Sequence, residues 1–249
     1  MQRPPCVLLV DDLDVWVRRK AMRTLRLSLG PDAQIRVSAP LSSSDAAITA
    51  FVRGHRAWIE ARRLELLDQG SQPRFDYLDG DTLPFWGDQI RLKVLTGGKV
   101  GRAVLAQPGV LELRLPEGST RRKRQALVRR WLGRELLAAA AARLPAWQAA
   151  MGVGSCLLRV RFMSSRWGSC NARTGVVTLA GQLAQKPAEA LDYILVHELA
   201  HFKVRSHGVR FKSILDRHMP DWRLRRRRLN TGSGEGAAME RDMRREEEY

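Results

Sequence analysis

Cysteine is scarce in this chain, and long apolar runs are missing from it. Cys6, Cys156 and Cys170 are odd in number and form no Cys-x-x-Cys pair, which argues against a disulfide framework or a cysteine-rich zinc site and favours reduced thiols. The apolar run at residues 6–10 is too short for a signal peptide or a membrane span, and acidic residues follow it at once. The sequence therefore predicts a soluble, cytoplasmic protein with no membrane contact.

Acidic residues are too few to balance the basic ones. The chain has 43 Lys and Arg against 26 Asp and Glu, which gives a net charge of +17. A charge of this size attracts polyanions over a distance set by salt, so nucleic acid is one candidate partner. The alternative is an arginine-rich surface that is simply solvated, since net charge bears on association rather than on fold. The oligomeric state stays open.

Apolar residues make up 44% of the 249 positions, enough for a sizeable core in one or two domains. Loose alternation over residues 15–40, broken at Gly30, predicts the two strands of a hairpin. A serine-capped pattern with spacings of three and four predicts a helix from residue 45 to about residue 67. Short alternating runs over residues 90–115 predict a further small antiparallel sheet, and no internal repeat with a period of about 20 to 50 residues is visible.

A long helical pattern opens at the Ser119-Thr120 cap and runs to about residue 144. Leucines and Trp131 recur on one face, which predicts that this face is buried. The opposite face is basic and comprises Arg121, Arg122, Lys123, Arg124, Arg129 and Arg130. These side chains are candidates for binding nucleic acid without sequence preference.

The most informative motif is His-Glu-Leu-Ala-His at residues 197–201. It lies in an apolar segment that starts near Pro187 and predicts a helix. One helical turn separates His197 from His201, so both imidazoles can reach one ion about 2.0 to 2.1 Å from each nitrogen. Glu198 points to the side of that pair, where its carboxylate can act as general base on a metal-bound water.

A third ligand is needed, because catalytic zinc normally has three protein ligands and one open position. His207 meets this need, since it follows His201 by six residues and directly precedes Gly208, where the chain can turn back. The alternative is an ordinary buried helix with hydrogen-bonded histidines, but a chain with only five histidines matches the motif rarely by chance. A redox-silent site of three histidines favours one zinc ion per chain over iron, nickel or copper.

The loop at residues 164–174 and a later histidine offer further candidates. Arg166 and His218 are candidate stabilisers of the oxyanion that forms in the transition state. Cys170 is a candidate nucleophile. A small buried residue is the preferred interpretation of Cys170, because a metal-bound water already supplies the nucleophile.

Several segments together resemble the YgjP-like metallopeptidase family, a bacterial relative of the SprT-type and WLM-type zincins. The resemblance covers roughly residues 15–230 and rests on Ser165-Arg166-Trp167-Gly168-Ser169-Cys170, Asp192-Tyr193, the His-Glu-Leu-Ala-His motif, His207, Phe211 and Met219-Pro220-Asp221-Trp222. It implies a zinc-dependent, peptidase-like fold with His197, His201 and His207 as ligands. The chain departs from the family pattern at Ala180, where relatives commonly carry Asn, and at Lys212, where they commonly carry Trp.

These patterns predict an α+β protein in three parts. Residues 1–117 are an antiparallel β-rich region with one helix, residues 118–229 a zincin-like catalytic region, and residues 230–249 a disordered charged tail. The expected activity is hydrolysis of peptide bonds in a protein or peptide, with the strand at residues 176–179 aligning the substrate.

Two other functions stay open. One is a metal-dependent nucleotide phosphohydrolase, against which the chain shows no Gly-rich phosphate loop. The other is a nucleic-acid-binding protein with a structural zinc. A structural zinc site does not require a general base, so the presence of Glu198 argues against this alternative.

Overall fold

The computed structural model describes residues 6–30, 32–71, 75–163 and 166–230. The predicted tail, apart from Asn230, lies outside the described residues. The chain divides into two compact units, Met1–Arg74 and Phe75–Tyr249. The boundary predicted at residue 117 thus falls inside the second unit, because the sheet before it and the helix after it share one apolar core.

The first unit is a four-stranded sheet with two helices. Its elements are β1 (Cys6–Val10), β2 (Leu13–Lys20), β3 (Arg26–Leu29), β4 (Ile35–Pro40), α1 (Asp45–Gly54) and α2 (Arg56–Ser71). The predicted hairpin is confirmed as β3 and β4, which pair antiparallel, but β2 and β4 pair parallel, so the sheet is mixed. The predicted helix is divided at His55, whose backbone N–H donates to the carbonyls of Val52 and Arg53 and ends α1.

The second unit holds a further four-stranded sheet, a three-stranded sheet and four α-helices in its described residues. Its elements are β5 (Thr82–Phe85), β6 (Asp88–Thr96), β7 (Arg102–Gln107), β8 (Val110–Leu115), α3 (Arg121–Met151), β9 (Leu157–Arg161), β10 (Gly168–Asn171), β11 (Val176–Ala180), a 3-10 helix (Gly181–Gln185), α4 (Ala188–Ala200), α5 (Val209–His218) and α6 (Trp222–Asn230). Small sheets with segregated helices confirm the predicted α+β class. Every helix in the described part of the chain is too short or too polar to cross a bilayer.

The two four-stranded sheets repeat one topology. Their strand orders are β1-β2-β4-β3 and β5-β6-β8-β7, and each has a central parallel pair with an antiparallel strand on either side. Adding 76 to each residue number in the register of β3 with β4 gives the register of β7 with β8. A capped helix follows each sheet, with Ser44 and Thr120 accepting from the backbone N–H three residues on. The fold therefore contains an internal repeat with a long period.

Helix α3 continues beyond its predicted end. A proline in a helix interior removes a hydrogen bond, so the sequence pattern ends near residue 144, directly before Pro145. In the structure, α3 passes Pro145 and ends at Met151, which is buried. Gly152 then terminates the helix in the left-handed conformation that glycine adopts without strain.

The three-stranded sheet has the order β10-β11-β9. The strands predicted at residues 157–162 and 176–179 are confirmed as β9 and β11, which pair parallel. Strand β10 lies in the segment predicted as a loop and pairs antiparallel with β11. Because β11 has a partner on both sides, the hypothesis that residues 176–179 align a substrate is wrong.

Candidate metal centre

Helix α4 carries the His-Glu-Leu-Ala-His motif into the core of the second unit. The helix begins after Pro187, and every residue from Tyr193 to Ala200 is buried. A helix that is apolar on nearly all faces is typical of a core position. The exposed fractions of His197 and Glu198 are only 6% and 3%. Such polar groups are costly to bury unless they are paired or bind a ligand.

Three imidazole rings meet at the end of α4. Nε2 of His207 lies 3.1 Å from Nε2 of His197, and the potential ligand nitrogens of these residues and His201 all lie within 4.8 Å of one another. Nitrogens bound at about 2.0 to 2.1 Å to a tetrahedral ion are about 3.4 Å apart. No other group of three His, Cys, Asp or Glu side chains among the described residues could hold an ion. The donor set fits one metal ion.

The orientations of these rings are set from outside the cluster. Nδ1 of His201 lies 3.1 Å from the carbonyl oxygen of Val204. When Nδ1 carries the hydrogen and donates it to this carbonyl, the lone pair of Nε2 is available to bind the metal. The Phe211 ring on α5 lies 4.5 to 5.0 Å from all three imidazole centroids. His207 lies directly before Gly208, the N-cap of α5, so the turn between α4 and α5 closes the cluster.

The surroundings of the cluster favour a neutral imidazole. Burial, together with the charges of His201, His207 and Arg226, holds the pKa of His197 well below its usual value. His197 is therefore unprotonated at neutral pH, the form that binds metal. Arg226 of α6 adds positive charge to the site, and no motif in the sequence points to it.

Glu198 lies against strand β10 at a glycine. A Cβ atom added to Gly168 would lie 2.4 Å from Oε1 of Glu198, far inside van der Waals contact. The carboxylate therefore occupies space that only a glycine leaves open. The sequence interpretation treated the Trp167-Gly168 pair as part of a loop and missed this role, because the contact joins residues that are far apart in the chain.

We expect Gly168→Ala to keep metal but to reduce hydrolysis about 10²-fold, since a misplacement of about 1 Å at a catalytic group can cost that much. Metal content and peptide turnover measure the two effects. Gly133→Ala is the matched control, because its added methyl would lie 3.7 Å from Val160, an ordinary contact. Full activity in folded Gly168→Ala would show that the Glu198 carboxylate does not need its present position.

The two predicted oxyanion stabilisers lie in different places. Arg166 is exposed and lies two residues before Gly168, on the chain that leads into β10. His218 ends α5, where burial and the charges of Lys203 and Arg217 lower its pKa. A lowered pKa leaves His218 uncharged at neutral pH, which weakens it as an electrostatic stabiliser. Both assignments stay predictions.

Cys170 lies half-buried in β10. Burial raises the pKa of its thiol to about 12, and the charges of Glu198 and Cys156 add to the shift. The thiolate is the nucleophilic form of cysteine. The raised pKa supports the interpretation of Cys170 as a packed residue rather than a nucleophile.

We expect Cys170 to resist alkylation at pH 8, because a pKa of about 12 leaves only about 10⁻⁴ of the thiol ionised. Cys6 is exposed and should react first. Iodoacetamide labelling followed by peptide mass spectrometry measures both rates, and Cys6→Ser removes the fast site as a control. Rapid labelling of Cys170 in the folded protein would contradict this assignment.

The predicted basic face of α3 is only partly solvated. Three arginines donate to neighbouring groups: Arg121 to Phe75 and Asp76, Arg124 to Asp76 and Ser119, and Arg130 to Gly101. Arg129 lies over the ring of Phe162. Long arginine stems let the guanidinium groups reach these partners. Arg122, Lys123, Arg129 and Arg130 are exposed, and nucleic-acid binding through this face stays a prediction.

Comparison with known proteins places the chain in a family. Residues 23–232 match the family described as "YgjP-like, metallopeptidase domain". The chain belongs to this family. No curated protein matches this YgjP-like chain.

Two solved structures are similar to parts of the YgjP-like protein. They are the metallopeptidase zymogens jannalysin of Methanocaldococcus jannaschii, 21% identical, and abylysin of Pyrococcus abyssi, 20% identical. The matches cover 34% and 43% of this chain and 90% and 93% of the zymogens, each with a TM-score of 0.30. Similarity this low carries no argument about the present site.

In the YgjP-like protein, residues from the segments that carry the family resemblance pack against α4. The Tyr193 ring stacks on Trp222 of α6 at 6.5 Å, with 8° between the planes, and its edge meets His197 at 5.9 Å. Trp167 is buried and donates from Nε1 to Asn230 at 3.3 Å. These contacts tie α4 and the start of β10 to α6, so Trp167, Tyr193 and Trp222 contribute packing around the site.

Proposed function

We propose that this metallopeptidase is a zinc enzyme that hydrolyses peptide bonds, with Glu198 as general base. One observation supports the proposal most directly. Three imidazoles converge at one point, and the buried Glu198 directly follows the first of them in α4. A general base is useful beside an open metal position and has no role in a closed structural site.

Zinc bound by His197, His201 and His207 would supply Lewis acidity toward the scissile carbonyl and lower the pKa of a water molecule. Glu198 takes the proton from the attacking water and later returns it to the leaving amine. With an exposed fraction of 3%, this carboxylate is shielded from bulk water, and Gly168 leaves the space in which it lies. The same side chain thus serves both proton transfers.

The substrate would bind in extended form along β10. Within the described residues, β10 has a strand partner on one side only, so its other edge can add a strand. The strand begins at Gly168, where Glu198 lies against it. A peptide on this edge would pass the general base with its backbone held by hydrogen bonds.

The test is an assay of metal-loaded protein against an unfolded protein and against nucleoside triphosphates. Cleaved peptides that appear by mass spectrometry and disappear with a chelator would support the proposal. Phosphate release without peptide cleavage would favour the phosphohydrolase instead. Neither activity in a protein that retains its metal would favour a structural zinc.

A further inference from the structure

A cavity of about 330 Å³ opens in the second unit, and none of its lining residues is a proposed metal ligand. It lies between β5, the first half of α3 and the segments that follow β9 and β11. Its volume falls within the range of small-ligand pockets, about 300 to 1,000 Å³. The cavity is therefore large enough for a side chain or a small molecule.

The charged lining of this cavity is basic. Arg121 and Arg129 line it, and no carboxylate does. The charge of Arg121 is largely compensated by an ion pair, because its Nε lies 3.0 Å from Oδ1 of Asp76. Arg129 has no carboxylate partner among the described residues, and its guanidinium carbon lies 5.0 Å from the centroid of the Phe162 ring. The cavity thus presents about one uncompensated positive charge.

The remaining lining mixes apolar side chains with the hydroxyl groups of Tyr77 and Thr82 and with glutamine amides. Phe162 forms a wall and lies against Gly181, where a Cβ would approach its ring to 2.5 Å. Gln182 is buried and donates from Nε2 to the carbonyl of Met163 at 2.7 Å. Its Oε1 is buried and has no hydrogen-bond partner in the described part of the chain.

One positive charge beside a mixture of apolar, hydroxyl and amide groups favours a carboxylate on a short aliphatic stem. The planar fork of an arginine binds a carboxylate through two parallel hydrogen bonds. A phosphate would need more positive charge than Arg129 alone provides. We propose that this cavity binds an acidic side chain of the peptide substrate, with Arg129 as the partner of its carboxylate, an inference that rests on the proposed peptidase function.

The cavity lies at the same end of the three-stranded sheet as the general base. Gly168, which lies against Glu198, pairs with Leu179 of β11. Gln182 follows Leu179 by three residues, a reach of at most about 11 Å. An extended peptide spans about 3.3 to 3.6 Å per residue, so the proposal requires an acidic side chain within about four residues of the cleaved bond.

Binding without cleavage gives the first test. The probes are fluorescein-labelled nonapeptides of Ala and Ser with a central Glu or a central Gln, added to zinc-loaded full-length Glu198→Gln at 0.15 M salt, about an 8 Å screening length. Fluorescence anisotropy should show the Glu peptide binding at least tenfold more tightly. The double variant Glu198→Gln with Arg129→Gln should lose this difference. The double variant Glu198→Gln with Arg102→Gln should keep it, because Arg102 is exposed and lies outside the cavity.

Cleavage gives the second test. Wild-type protein should cut a mixed peptide library with Asp or Glu enriched at one position near the cut, and Arg129→Gln should lose this enrichment. Arg129→Lys, which keeps the charge without the fork, should lose part of it. Equal binding of the two nonapeptides, or an acidic preference that survives Arg129→Gln, would overturn the assignment of the cavity. No cleavage by wild type, with the binding preference intact, would instead reject only the peptidase proposal.

Discussion

Replacing Glu198 by Gln should leave metal binding intact and lower peptide hydrolysis by about 10² to 10⁴ or more. Glutamine keeps the size of the side chain, so it still fits against Gly168. It cannot accept the proton of the attacking water or return it to the leaving amine. Because both transfers depend on one carboxyl group, the loss should lie at or beyond the upper end of that range. Elemental analysis and turnover at saturating peptide measure the two quantities.

The matched control is Glu189→Gln, the same chemical change in the first turn of the same helix. Glu189 pairs with Arg228 at 3.0 Å in a partly exposed ion pair. Such pairs contribute about 0 to 1 kcal/mol to stability, so this variant should remain folded and active. Substantial activity in metal-replete Glu198→Gln would show that another residue activates the water.

Replacing His201 by Ala should release the metal and destabilise the second unit. Two imidazoles leave zinc without its usual third ligand. A metal held by the three imidazoles would also link α4 to the turn before α5, so its binding would contribute to the free energy of unfolding. The contribution is about 4 kcal/mol when free zinc is present at a thousand times its dissociation constant. Elemental analysis and thermal unfolding with and without zinc measure both effects.

His55→Ala is the control for this variant. His55 is exposed in the first unit, and its Nδ1 donates one hydrogen bond to the Phe51 carbonyl at 2.7 Å. Its loss should change neither the metal content nor the stabilisation by zinc. If His201→Ala retained one zinc per chain, His201 would not be a ligand.

The clustering of the three imidazoles beside Glu198 could be predicted because a helix determines the relative positions of nearby residues. His197, Glu198 and His201 lie within five residues, and 3.6 residues per turn places the two imidazoles on one face. His207 follows within a short turn. The convergence of these imidazoles needs little more than the local backbone. Strands such as β3, β4, β9 and β11 could likewise be predicted from short-range patterns in the sequence.

Contacts between segments that are distant in the chain could not be predicted from such short-range patterns. The space at Gly168 depends on β10 meeting α4, and the use of Arg121 and Arg124 as donors depends on residues 75–76 lying beside α3. Helix α3 passes Pro145 because Met151 is buried in the core beyond it, which outweighs a local preference of about 3 kcal/mol.

The sequence alone determined which side chains form the candidate metal centre, the class of the fold and most of its strands and helices, since these follow from spacing along the chain. Only the tertiary structure decided that β11 is central while β10 has one strand partner among the described residues, and that the sheet topology is repeated. It also placed a cavity lined by Arg121 and Arg129 beyond the ends of β9 and β11. The physical reason is that strand order and side-chain packing depend on which distant segments meet, and spacing within one segment does not encode that choice.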